Sequence, residues 1–125
     1  MFKVPKSLNQ INVLGIPVKV VINQARCERE NAYGLFDGTI VLRSKYESHI
    51  AFMQTLAHEA FHASCAISGL QLDLQIEEVM ATSAERLFVS LTETLSDMYS
   101  EMYAEEAKKA EKRAKDKKKT KKKKK

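Results

Sequence analysis

The sequence predicts an α+β fold, in which a small antiparallel sheet of about three strands packs on a helix carrying a metal-ligand motif and on a second long helix. Three observations predict it. Short runs of β-branched and aromatic residues occur in the first third of the chain, two of them flanking Asp37-Gly38. The pentad His58-Glu59-Ala60-Phe61-His62 lies within a run free of Gly and Pro. From Leu74 onward neither residue occurs, and apolar side chains recur at helical spacing.

Residues 1–12 show no period and are expected to be irregular. Gly15-Ile16-Pro17 marks a turn, and Val18-Lys19-Val20-Val21-Ile22 is β-branched and short, which reads as a strand. Asn23 to Asn31 is polar and charged, a loop or strand end. Tyr33-Gly34-Leu35-Phe36 and Thr39-Ile40-Val41-Leu42 flank Asp37-Gly38, the strongest short hairpin signal. Ser44-Lys45-Tyr46-Glu47 has the form of a capping box and predicts a helix over 45–68, stopped by Gly69. Asp73 can cap the next helix, whose stripe runs through Ile76, Met80, Ala84, Leu87, Leu91 and Leu95. The stripe ends after about residue 104. This predicts a domain over 1–105 and a lysine-rich, disordered tail over 106–125.

The pentad is a compact chemical unit. Residues four apart lie on nearly the same face of a helix, so His58 and His62 can aim imidazole nitrogens at one ion. Glu59 lies about 100° further round, where it cannot join both histidines but can reach a water on the open side of the metal. Zinc lowers the pKa of such a water towards ~7, and an adjacent carboxylate can take its proton. The flanks Phe52, Met53, Leu56, Ala57, Phe61, Ala63, Ala66 and Ile67 cover nearly the whole circumference, which predicts a buried helix. Buried imidazoles and a buried carboxylate need partners, and Zn²⁺ supplies one.

A catalytic zinc takes three protein ligands. A histidine six residues past His62 is absent, since that position is Ser68. Glu77 and Glu78, at the start of the next helix, are the candidates for the third ligand. If the helix packs through its apolar stripe, Glu77 lies about 60° from the packed face and Glu78 about 160°, with Glu85 about 140° away. Glu77 is therefore the expected ligand, Glu78 the alternative, and Glu85 is not a rival. His49 falls on the far side of the helix from His58 and is expected to pack or cap. Cys65 is expected to be a small buried residue. Tyr33 and Tyr46 each carry a hydroxyl suited to an oxyanion, but packing is the expectation for both.

This order of elements resembles the small zincin-like metallopeptidases of phages and bacteria, related in layout to the ImmA/IrrE- and SprT-like zincins. The resemblance rests on Tyr33-Gly34 through Ile40, on His58 to Ala63, and on Glu77-Glu78-Val79. It implies a zinc-dependent peptidase with a glutamate as third ligand, acting on a peptide or protein substrate. It does not extend to the lysine tail.

Composition sets the remaining bounds. The 125 residues leave room for one domain. No stretch has about 18 consecutive apolar residues, so no transmembrane helix is expected. The opening Met1-Phe2-Lys3-Val4-Pro5-Lys6 lacks the apolar core of a signal peptide. Two cysteines do not make a disulfide scaffold and fit a reducing, cytoplasmic setting; a bacterial or phage-infected host cell is what the resemblance implies. Residues 108–125 hold 13 Lys/Arg against Glu111 and Asp116, a net +11; the other 8 basic and 14 acidic residues give −6. The tail is thus the basic part, suited to non-specific nucleic-acid contact through Lys108 to Lys125. Three functions follow: a zinc peptidase with Glu59 as general base, a catalytically silent zinc-stabilised binding module, and a protease tethered to nucleic acid by its tail.

Overall fold

The computed structural model describes residues 1–123. Six strands and three helices follow in order: β1 (Phe2–Lys3), β2 (Gln10–Val13), β3 (Ile16–Ile22), α1 (Gln24–Arg29), β4 (Gly34–Phe36), β5 (Ile40–Leu42), β6 (Lys45–Tyr46), α2 (His49–Ser68) and α3 (Leu74–Lys123). The class is α+β, as expected. The three predicted strands are β3, β4 and β5. The segment expected to be irregular also contributes β1 and β2.

Strands β2-β3-β5-β4 form one sheet in that order, and β1 pairs with β6 in a second. Both hairpins are antiparallel, but β3 and β5 run parallel, Val20 opposite Ile40 and Ile22 opposite Leu42. The larger sheet is therefore mixed rather than purely antiparallel. A parallel pair needs a crossover, and α1 lies within it. Residues 23–31 were expected to be a loop or strand end because they are polar and charged; the helix there buries only Cys27 of its six residues, too little for an apolar stripe. Asn23 caps it by accepting from the Arg26 amide.

Turn chemistry sets the hairpins. Leu14 (φ 52°) and Gly15 (φ 82°) join β2 to β3 with positive φ at both positions, as a two-residue primed turn requires. Asn12 Oδ1 accepts from the Gly15 amide at 2.8 Å. Between β4 and β5 the loop is Asp37-Gly38-Thr39, one residue longer than the Asp-Gly signal suggests, since Phe36 pairs with Ile40. Gly38 takes φ 95° there, and Asp37 is held by Arg26 at 2.7 Å.

Helix α2 begins at His49 rather than at 45, because Lys45 and Tyr46 are taken by β6 and the cap passes from Ser44 to Ser48. Ser48 accepts from the Ala51 amide at 3.1 Å. Gly69 ends the helix in the left-handed conformation, φ 68°. Val13, Val18, Val20, Ile40, Leu42 and Ala63 form the core, with Phe52, Leu56 and Ala60 packed against it. Those α2 positions recur at helical spacing, so one stripe of the helix meets the sheet. Thr55, Glu59 and Cys65 are also buried, whereas the helix ends are exposed and most other positions half-buried, so α2 is not enclosed all round.

The chain divides into two compact units, Met1–Val89 and Ser90–Lys125. In the first, α3 turns Ala81 and Val89 inward, while Ile76, Val79, Met80, Leu87 and Phe88 stay exposed. The buried side is thus turned by roughly a third of a turn from the predicted packing face. In the second, Leu91, Leu95, Met98, Tyr99, Met102 and Tyr103 are also exposed. The tail expected to be disordered from 106 continues α3 as far as Lys123; its last two residues, Lys124 and Lys125, lie outside the described residues. Alanine, glutamate, lysine and arginine are strong helix formers, and Glu105/Lys109 and Glu111/Lys115 have the favourable order at four-residue spacing.

Candidate metal centre

The first unit brings five predicted or newly found carboxylate and imidazole partners together. Within α2 the four-residue spacing sets His58 and His62 one turn apart, their ring centroids 5.0 Å from each other. Asp73 caps α3, accepting from the Gln75 amide at 2.9 Å, so that Glu77 and Glu78 stand in its first turns. The Glu78 carboxylate bridges the two rings. Its Oε2 lies 3.1 Å from His58 Nε2 and its Oε1 lies 2.7 Å from His62 Nε2. Glu77 meets the other side of His62, with Oε2 2.9 Å from Nδ1.

The wheel argument favoured Glu77, whereas this geometry sets Glu78 between the two Nε2 atoms and Glu77 on the Nδ1 side of His62. The set of side chains whose ligand atoms lie within 4.8 Å of one another is His58, His62 and Glu78. Glu77 is outside it. The physical reason is the rotation of α3: the wheel assumed that the most apolar face packs, whereas α3 turns inward the side bearing Glu77, Ala81, Glu85 and Val89. Glu78 then comes to the edge of that face, half-exposed, and reaches across to both imidazoles. Glu85, set aside from the sequence, lies with Oε2 3.7 Å from His58 Nδ1. No local signal marks it, since its approach depends on α3 packing.

Two imidazoles and a carboxylate are donors that zinc accepts. At ordinary Zn–N and Zn–O lengths a tetrahedral ion sets its ligand atoms about 3.3 Å apart. The observed 3.1 Å and 2.7 Å are hydrogen-bond separations, so seating an ion needs shifts of a few tenths of an ångström. Four carboxylates, Glu59, Glu77, Glu78 and Glu85, surround only two imidazoles, which makes the site a favourable place for a cation.

Glu59 is 7 % exposed and lines the same cavity as His62 and Glu78. Burial pushes its pKa up, opposed by His58 and His62 and reinforced by Glu78 and Glu85. Its position depends on Gly34. A Cβ there would lie 2.7 Å from Thr55 Cγ2 and 3.2 Å from Glu59 Cγ, so only glycine lets β4 come this close to α2. A cavity of about 370 Å³ opens alongside, lined by Gly34, Leu35, Phe36, Glu59, His62 and Glu78 among others. Its strand, β4, is the outermost of its sheet.

The remaining candidates are placed elsewhere. His49 is exposed at the first position of α2. Tyr46 is buried, its hydroxyl donating to Tyr33 O at 2.6 Å and accepting from the Arg43 amide. Tyr33 is exposed, its ring beneath the Arg43 guanidinium at 5.3 Å. Cys27 and Cys65 are both buried, free thiols. No helix among the described residues is long and apolar enough to cross a membrane. Comparison with family models, with curated proteins and with solved structures gave no match.

Proposed function

We propose that the chain is a zinc-dependent metallopeptidase of the zincin type, with His58, His62 and Glu78 as protein ligands and Glu59 as general base. The observation that carries the reading is the convergence of both Nε2 atoms on one carboxylate, with the buried Glu59 lining the same cavity. Bound there, Zn²⁺ would supply Lewis-acid polarisation and acidify a water.

The chain's own residues then do the rest. Glu59, buried beside the same cavity, takes a proton from the attacking water. It passes that proton to the amine as the C–N bond breaks, while the water's other proton stays on the new carboxyl, so that one water and one peptide bond yield a carboxylic acid and an amine. The free edge of β4 can hold an extended substrate by strand addition beside Glu59. Leu35, Phe36, Leu70 and Leu74 offer an apolar wall to substrate side chains. The two free thiols agree with a reducing, cytoplasmic setting.

The deciding experiment is metal analysis of the purified protein followed by incubation with a mixed peptide library. One zinc per chain and cleavage lost in Glu59→Gln support the reading. No zinc after reconstitution refutes it. Zinc without any cleavage would leave a zinc-stabilised binding module, for which the +11 of residues 108–125 offers nucleic acid as the partner.

A further inference from the structure

We infer that Glu77 is a positioning residue for His62, and Glu85, at longer range, for His58, each holding the Nδ1 side of its imidazole so that Nε2 faces Glu78. The inference rests on the zinc reading and goes beyond it, because it gives roles to two carboxylates that bind no metal.

A neutral imidazole carries one N–H. If the proton is on Nδ1, the lone pair for a metal is on Nε2, and the acceptor facing Nδ1 selects that tautomer and ring orientation. Both histidines have this division. Their Nε2 atoms share Glu78, while Nδ1 of His62 meets Glu77 at 2.9 Å and Nδ1 of His58 faces Glu85 at 3.7 Å. The first is a hydrogen bond by length; the second is beyond that range, so the two effects should be graded. Burial separates the roles too: the Glu77 and Glu85 side chains are each 20 % exposed against 51 % for Glu78. Glu77 is itself restrained, since it lies on the inward side of α3 with its carboxylate against His62. A part-buried carboxylate already held against one imidazole nitrogen is a good orienting partner.

The test uses the full chain with ¹⁵N-labelled histidine, loaded with zinc, and long-range ¹H–¹⁵N correlation of the imidazoles. Both rings should carry their proton on Nδ1. In competition with a chelator, Glu77→Ala should bind zinc about 10–100-fold more weakly. Glu77→Gln, whose amide oxygen still accepts, should recover most of that loss, and Glu85→Ala should lose less than Glu77→Ala. A proton on Nε2 of His62 in the zinc-loaded wild type overturns the inference, as does unchanged affinity in Glu77→Ala. Zinc kept by Glu78→Ala and lost by Glu77→Ala also overturns it, by making Glu77 the ligand. If Glu77→Ala does not fold, the wild-type tautomer alone decides. Wild-type protein that takes up no zinc refutes the metal reading itself, and this inference with it.

Discussion

Glu78 Oε1 lies 2.7 Å from His62 Nε2, although the two residues belong to different helices and Glu78 is half-exposed. A solvated glutamate gains little from an ordinary surface ion pair. Here the same carboxylate also meets His58, and that double contact is what a shared cation would replace.

The ligand set leads to a ranking by affinity. His58→Ala, His62→Ala and Glu78→Ala should each lower zinc affinity by well over about 100-fold, more than a residue that only orients a ligand. Zinc should raise the melting temperature of the wild type and not of these variants, because binding favours the folded state. Calorimetric titration with zinc, and melting with and without it, check both parts.

Glu59→Gln should keep zinc and fold, since Glu59 is outside the ligand set. Any peptidase activity should fall at least about 100-fold, the lower range for a general base. Equal turnover by mutant and wild type on a cleaved peptide would remove Glu59 from the mechanism.

Gly34→Ala should destabilise the protein by about 1–3 kcal/mol, the cost of overfilling a packed site. The added Cβ meets Thr55 Cγ2 first. Thr55→Ser deletes that methyl, so the double variant Gly34→Ala/Thr55→Ser should regain part of the loss. Urea unfolding of the three variants measures the coupling, and simple additivity would show that the contact is not the cause.

Tyr46 predicts an alkaline transition. Burial pushes its hydroxyl up to about 12. A folded pKa above the unfolded value of about 10 gives stability that is complete below pH 10 and lost as the pH rises through 12. Tyr46→Phe should be less stable at pH 8, because Tyr33 O and the Arg43 amide lose their partner. Its deficit should shrink as the pH passes from about 10 to 12. Denaturant melts at pH 8, 10 and 11.5 follow the difference, and a constant gap would rule out the linkage.

Removing residues 108–125 should leave zinc content and the melting of the first unit nearly unchanged, since lysines have nothing apolar to bury. DNA binding by the full chain, if measured, should be strongly salt-dependent and should fall on truncation. A large drop in melting temperature would show that the segment stabilises the fold.

Sequence alone determined what depends on local geometry. The spacing of His58 and His62 places both rings on one side of α2 whatever surrounds the helix, because the helical period is fixed by backbone hydrogen bonding. Gly69 and Asp73 likewise marked the ends of α2 and α3 through conformations and caps available to few residues. Tertiary structure decided what depends on how elements turn about their axes. The stripe from Ile76 to Leu87 is the most apolar face of α3, and burial by hydrophobicity would send it inward. The face turned inward instead carries Glu77 and Glu85, which face the Nδ1 sides of the two half-buried imidazoles. Glu77 stays the more buried of the pair, as expected, but the rotation lets the half-exposed Glu78 reach both Nε2 atoms and brings in Glu85. The approach of Gly34 to Thr55 and Glu59, and the parallel pairing of β3 with β5, also join residues far apart in the chain. Such contacts are chosen by packing across the whole unit, and no window of sequence contains both sides of them.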